Sequence, residues 1–150
     1  MTYSISEMAR RLGVAPSTLR FYDKEGLLPF VQRSEKGIRV FTDQDYEWLR
    51  IIECLKQTGM QIKDIRTYIT MAMEGDSTID DRLQLFYAQR RRVREQMAVL
   101  QKTLDTVNFK CWYYETAKAM GSTEPLKDMP VDQYPEAYRN VLLSLKGNEL

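Results

Sequence analysis

From Ile79 to Tyr114 the chain repeats one spacing without an error. Ile79, Leu83, Phe86, Arg90, Val93, Met97, Leu100, Leu104, Val107, Cys111 and Tyr114 follow one another in alternating steps of four and three. Such steps place side chains along one seam of a helix, the a/d seam of a coiled coil, here over five heptads. Helical from Ile79 to Ala117, the segment would span about 58 Å at a rise of about 1.5 Å per residue. A helix that long in a chain of 150 residues cannot bury its seam against its own small domain, so the pattern demands a second copy. The pairing residues of the expected homodimer are Leu83, Phe86, Val93, Met97, Leu100, Leu104, Val107 and Cys111. Arg90 is the one charged seam residue, flanked by Arg91, Arg92 and Arg94. A buried arginine needs a carboxylate or carbonyl partner, and a polar seam position can set register. Arg90 is therefore expected near one end of the paired region or bonded across it. The arginine cluster reads as a solvated, salt-bridged face, with DNA contact as the alternative.

The stretch Ser4 to Leu28 reads as two short helices joined by a turn at Gly13, with Ser6 and then Pro16 to Ser17 as start signals. Ile5, Met8, Ala9 and Leu12, then Leu19, Tyr22 and Leu27, recur at helical spacing, so each helix can bury one face against the other. That is a helix-turn-helix pattern. The second helix exposes Ser17, Thr18, Arg20 and Lys24, a hydroxyl-rich start followed by cations long enough to reach base edges and phosphates. Thr18, Arg20 and Tyr22 are the expected contacts to the major groove and its edges.

Phe30 to Phe41 then shows two extended pieces around Ser34 to Gly37, the pattern of a β-hairpin. Beside a recognition helix such a hairpin is a wing. Arg33 and Arg39 flank its turn, where guanidinium groups could hold phosphate or enter a minor groove, and Lys36 adds a cation at the tip. Thr42 caps a helix that carries Tyr46, Leu49, Ile52 and Leu55 to about Thr58, where Gly59 ends it. Gln61 to about Met73 is the next helix, with Ile62, Ile65 and Ile69 inward. Lys63 and Arg66 near its start could touch the DNA backbone or lie on a solvated face. Gly75 to Ser77 breaks the pattern before the long helix.

The domain plan is a winged helix-turn-helix over 1–74, a dimerisation helix over 76–119 and a short tail over 120–150. Phe109, Trp112, Tyr113 and Tyr114 crowd the end of the long helix. They could line a pocket for a hydrophobic small molecule, or close the bundle against the partner's DNA-binding domain, which is the preferred reading. A short helix is expected from Glu136 to Leu145, in a tail too small to form a separate effector domain.

Net charge is +1, and residues 1–70 hold 11 Lys and Arg against 9 Asp and Glu. DNA affinity must then come from local placement of cations, not from a basic surface. The two cysteines, Cys54 and Cys111, form neither a disulfide framework nor a CxxC motif, and with no histidine a His-dependent triad or His-ligated zinc is excluded. No cofactor, metal site or catalytic constellation is expected, so an enzyme is the least supported class. Neither a membrane span nor a signal-peptide h-region is present in the sequence, and a cytoplasmic protein is expected.

The ordered set of reader, wing, two further helices and long dimer helix resembles the MerR family of bacterial transcription regulators. The strings that carry the likeness are Leu19-Arg20-Phe21-Tyr22-Asp23-Lys24-Glu25-Gly26-Leu27-Leu28, Gly37-Ile38-Arg39-Val40-Phe41 and Leu55-Lys56-Gln57-Thr58-Gly59-Met60-Gln61-Ile62-Lys63-Asp64-Ile65. The resemblance covers roughly Tyr3 to Ala119. It implies a mainly α fold, an antiparallel coiled-coil homodimer and a palindromic site in double-stranded promoter DNA. It further implies that the duplex is bent and untwisted so that RNA polymerase can use promoter elements set too far apart. Phe41 matches a wing position where the family often has tyrosine, so a phenolic bond to phosphate is lost there. Metal-sensing members carry cysteines in the loop after the dimer helix. Met120 to Pro125 has none, which argues against a thiolate metal site. The large C-terminal domain of the multidrug-binding members does not fit in this chain.

Glu53-Cys54-Leu55-Lys56 and Lys110-Cys111-Trp112-Tyr113-Tyr114-Glu115 look like the AdhR/NmlR-type subgroup, which implies a response to aldehydes and other thiol-reactive electrophiles. Cys54 is then the expected sensor. Arg50, four residues earlier on the same helix, would favour its thiolate, and an adduct there could tilt the reader against the dimer core. The alternatives are reversible binding of a hydrophobic molecule near Trp112 to Tyr114, or a coiled-coil module whose winged helix binds protein.

Overall fold

The structure, a computed structural model, describes residues 1–147 and is mainly helical. Residues 148–150, the end of the expected tail, lie outside the described residues. Two compact units divide the chain, Met1–Val93 and Arg94–Leu150.

The first unit opens with β1 (Thr2–Tyr3), α1 (Ile5–Leu12) and α2 (Pro16–Lys24). The start of α1 is set by Ser4 and not by Ser6. The Ser4 hydroxyl accepts from the Glu7 amide while the Glu7 carboxylate accepts from the Ser4 amide at 2.8 Å, a reciprocal capping box. Gly13 closes α1 at φ 76°, a left-handed conformation that favours glycine. Pro16 opens α2, where its missing N–H costs nothing. The wing is β2 (Gln32–Arg33) and β3 (Arg39–Thr42), antiparallel, with Gln32 opposite Val40 and Arg33 opposite Arg39. Its turn closes through the Gly37 amide to the Ser34 carbonyl at 2.8 Å. β1, which the sequence reading did not contain, pairs with the other edge of β3, so the sheet order is β1-β3-β2.

α3 (Asp43–Gln57) starts on a second capping box, Thr42 with Asp45, and α4 (Ile62–Glu74) follows after Gly59. The core of this unit is Met8, Ala9, Leu19, Tyr22, Leu27, Leu28, Phe41, Leu49, Ile52, Leu55, Met60, Ile65 and Ile69. Phe41, expected at the wing as a phosphate neighbour, is wholly buried here. Arg11 ties α1 to the start of α3, donating to Asp43 at 2.5 Å, and Tyr3 donates to the same carboxylate at 2.9 Å. Arg11 above all holds the Asp43 carboxyl well below the usual carboxylate range.

A 3₁₀ turn, Asp76–Thr78, leads into α5 (Ile79–Met120). The Thr78 hydroxyl donates to the Met71 carbonyl at 2.6 Å, which seats the new helix against the end of α4. The first stretch of α5 belongs to this unit. Gln89 is buried and its Nε2 donates to the Thr58 carbonyl at 2.9 Å, while Arg92 pairs with Asp64 at 2.9 Å. Phe86 corrects the expected seam: it packs on this core, edge-on to Tyr68 with ring centroids 5.3 Å apart. Val93 is half-buried. Arg90 is exposed with its guanidinium over the Tyr87 ring at 4.9 Å, so the charge stays in water.

In the second unit α5 continues to Met120, and α6 (Glu124–Lys127), a 3₁₀ turn Val131–Gln133 and α7 (Glu136–Gly147) follow. Phe109, Tyr134 and Leu142 are its buried core, with Trp112, Tyr113, Met129, Val131, Tyr138, Val141 and Leu145 packed around them. The aromatic cluster is thus covered by the chain's own tail, where the preferred sequence reading had a partner's domain. Tyr134 is central: its hydroxyl donates to the Leu126 carbonyl at 2.7 Å and its ring lies 5.4 Å from that of Trp112. The face of α5 bearing the heptad residues has no such cover. Met97 is 63% exposed, Leu100 67%, Leu104 50% and Val107 52%.

The wing is held to α2 by one carboxylate. Asp23 accepts from Arg33 at 2.9 Å and from Arg39, and the Arg39 hydrogen bond is the main reason its carboxyl lies below the usual carboxylate range. A lowered folded-state pKa stabilises the fold above the unfolded value of about 3.9, and that contribution is lost as pH falls through the folded value.

Two outcomes follow from these contacts. Asp23→Ala should lower stability in urea by about 1–2 kcal/mol at neutral pH, and the gap to wild type should close below about pH 4. Tyr134→Ala should cost the second unit about 3 kcal/mol, read as faster amide exchange across α6 and α7 with the first unit's exchange unchanged.

Candidate nucleic-acid interface

The rotation of α2 about its axis decides what it can read. Leu19 and Tyr22 point into the core, which turns Ser17, Arg20, Phe21 and Lys24 outward at helical spacing i, i+3, i+4 and i+7. Thr18 is half-buried at the edge of this face. A cation pair around an exposed aromatic is suited to base edges: guanidinium or ammonium to purine acceptors, ring to a thymine methyl. Phe21 is not among the contacts expected from the sequence, and its signal there is its place between Arg20 and the buried Tyr22.

Tyr22 itself is corrected. Its side chain is wholly buried, its hydroxyl donates to Glu53 Oε1, and Lys56 Nζ donates to the Tyr22 hydroxyl oxygen at 2.7 Å while lying 4.9 Å from the ring centroid. Burial first, then the Glu53 hydrogen bond, pushes the phenol well above its ordinary range and keeps it a donor. Tyr22 therefore locks α2 onto α3 and does not face DNA. Phe41, the inward residue of β3, is likewise wholly buried and anchors the strand in the core, with no side-chain surface left for DNA.

The wing stands beside α2 because Asp23 lies on α2 and both wing arginines reach it. Arg33 is half-exposed, also donating to the Gly37 carbonyl at 3.3 Å, and retains donors for phosphate. Arg39 is more enclosed, and its Nε is buried with no partner among the described residues. Its first role is to hold the wing. Lys36 and Ile38 are exposed at the tip. Lys63 is exposed at the start of α4, and Arg66 pairs with Glu25 at 3.5 Å, which brings that helix start to the end of α2. The face thus assembles cations from α2 and the wing on a chain of nearly neutral net charge.

Cys54 lies exposed on α3, next in sequence to the Glu53 that holds Tyr22, and Cys111 lies exposed on α5. Both are free thiols. Among the described residues no group of three or more His, Cys, Asp or Glu is placed to hold a metal ion, and no helix is long and apolar enough to cross a membrane.

Residues 3–72 match the family described as MerR HTH family regulatory protein, and residues 46–108 match the one described as MerR, DNA binding. The chain is 46% identical over 136 residues to an uncharacterized HTH-type transcriptional regulator of Haemophilus influenzae, covering 91% of this chain and 98% of that protein. To the HTH-type transcriptional regulator AdhR of Bacillus subtilis it is 34% identical over 92 residues, 61% of this chain and 66% of AdhR. Among solved structures it is similar to HiNmlR, described as a MerR family regulator lacking the sensor domain, bound to promoter DNA. That likeness has a TM-score of 0.62 and 47% identity, over 83% of this chain and 99% of HiNmlR. A MerR family regulator from Listeria monocytogenes aligns with a TM-score of 0.68 at 30% identity, over 88% and 99% of the two chains. These likenesses span the reader, the wing and the long helix together, and the chain belongs to the MerR family of DNA-binding transcriptional regulators, with relatives of the AdhR/NmlR type.

Proposed function

We propose that the chain acts in the cytoplasm as a homodimer on a twofold-symmetric promoter site, with α2 in the major groove and the wing on flanking phosphate. The observation that carries this reading is the uncovered stripe of α5, Met97, Leu100, Leu104 and Val107, in a chain that owns one reader. Apolar side chains in heptad register and exposed to water gain free energy by pairing with a second copy of themselves. Ser17, Thr18, Arg20 and Phe21 read bases, and Lys24, Arg33, Lys36 and Lys63 hold the backbone, with Arg39 acting through the wing. That HiNmlR, 47% identical, is bound to promoter DNA supports promoter DNA as the partner. Family membership supports activation by remodelling the promoter for RNA polymerase.

The trigger we assign is electrophile attack at Cys54. Its thiol is exposed, and it sits on the helix whose Glu53 and Lys56 hold the recognition helix through Tyr22. A bulky adduct on α3 beside those contacts is placed to shift α2.

Leu100→Glu with Leu104→Glu puts carboxylates into the proposed seam, where each faces the partner's apolar side chains without a counter-charge. It should reduce the sedimenting mass to one chain and weaken operator binding roughly tenfold or more, worth about 1.4 kcal/mol; dimer mass retained in the double variant would reject the seam. In a transcription assay with an aldehyde and quinone panel, Cys54→Ser should bind operator as wild type does and lose induction. Equal induction in both proteins would reject the thiol trigger.

A further inference from the structure

Gln89 is the one buried polar residue of α5 among the described residues, and both ends of its amide are in use. Nε2 donates to the Thr58 carbonyl at 2.9 Å, and Oε1 accepts from Arg92 at 3.4 Å. Arg92 in turn pairs with Asp64, in the first turn of α4, at 2.9 Å. One side chain thus joins the end of α3, the start of α4 and the next turn of its own helix. Thr58 is the C-cap of α3, and its carbonyl is one that a helix terminus leaves without an intrahelical donor.

The joint lies in the last turns of α5 that belong to the first unit, which ends at Val93. Leu85 and Phe86 pack on the core one turn earlier, and Gln89 and Arg92 then hold the helix by polar contacts. A cavity of about 210 Å³ lies beside them, lined by Met60, Asp64, Leu85, Ala88, Gln89 and Arg92. Close-packed side chains resist small displacements, whereas a hydrogen bond flanked by open space can bend or break. On α3, less than two turns carry both this joint and the lock on the recognition helix: Glu53 and Lys56 hold Tyr22, and Thr58 holds Gln89. A displacement of α5 on α3 therefore acts on the segment that holds the reader.

We propose that Gln89 is a positioning residue whose amide sets the angle of α5 on α3, and through it the separation at which two readers meet one promoter. The second half of this statement rests on the homodimer reading; the first half does not.

The test reads the angle within a single chain. Nitroxides at Glu47→Cys and Ala98→Cys, both exposed positions, are placed in a Cys54→Ser, Cys111→Ser chain diluted with unlabelled protein, and their separation is measured by pulsed electron resonance. Gln89→Met keeps the length of the side chain and removes its donor. With circular dichroism unchanged, it should shift or broaden the separation by about 2 Å, the displacement of position 98 for a tilt of about ten degrees at Gln89 and a rise of about 1.5 Å per residue. Gln89→Glu keeps the shape, turns a carboxylate oxygen toward the Thr58 carbonyl and should do the same. On duplexes carrying the protein's own promoter site with its centre lengthened or shortened by one base pair, wild type should favour one spacing about tenfold and Gln89→Met about threefold or less. An unchanged nitroxide separation in both variants would overturn the proposal, and so would an unchanged spacing preference in a variant whose separation has moved. A sedimenting mass of one chain would reject the homodimer reading instead, and the nitroxide separation would still decide the joint.

Discussion

Leu19 and Tyr22 are the two side chains of α2 that the first unit encloses completely, and their burial fixes the rotation of that helix. An α-helix has one degree of freedom that matters to a reader of DNA, the angle at which it presents its outward face. Enclosing two residues three apart sets that angle to within a fraction of a turn. The outward set, Ser17, Arg20, Phe21 and Lys24, is a consequence of the inward one. Tyr22 strengthens the lock because its hydroxyl is bonded from both sides by α3, and a buried hydroxyl without partners would cost a kilocalorie or more, about 1–3 kcal/mol. The same lock makes α3, which also carries Cys54, the helix that holds the reader in place.

Electrostatics here work by placement. A net charge of +1 gives no long-range field toward DNA, and the acid within α2 itself, Asp23, is paired with the two wing arginines. That pairing removes a repulsive carboxylate from the approach of phosphate while it positions the wing. Arg33 has enough donors to serve both the carboxylate and a phosphate; Arg39, more enclosed, serves mainly the first.

Periodic features were legible in the sequence and features that depend on distant partners were not. The helix-turn-helix, the Thr42 cap, the stops at Gly13 and Gly59, the hairpin around Ser34 to Gly37 and the long helix all announce themselves within a few residues of chain, and all are present. β1 is two residues long and carries no period of its own, so only its pairing with β3 reveals it. Ser4 and Ser6 both fit a cap locally, and the carboxylate of Glu7 at the right interval decides for Ser4. Tyr22 shows where residue type misleads, since an aromatic with a polar end fits a core as well as a groove, and only the neighbours Glu53 and Lys56 tell which; Phe41, which has no polar end, goes wholly into the core. Phe86 keeps perfect seam spacing because a coil and a domain contact share one period over a single heptad. The cover of Phe109 and Trp112 comes from residues between Met129 and Leu145, beyond Pro125 and with Pro130 and Pro135 among them, which no local pattern encodes.

The bare stripe from Met97 to Val107 has a consequence for the cell as much as for the fold. In the homodimer proposed above, a stripe covered only by a second copy ties the chain's stability to mass action, so the folded fraction rises with the amount of protein present. Copy number then becomes a thermodynamic variable of the regulator. A sparse chain is exposed to proteases and to mispairing, an abundant one is protected, and the threshold between them is set by apolar area on one face of α5.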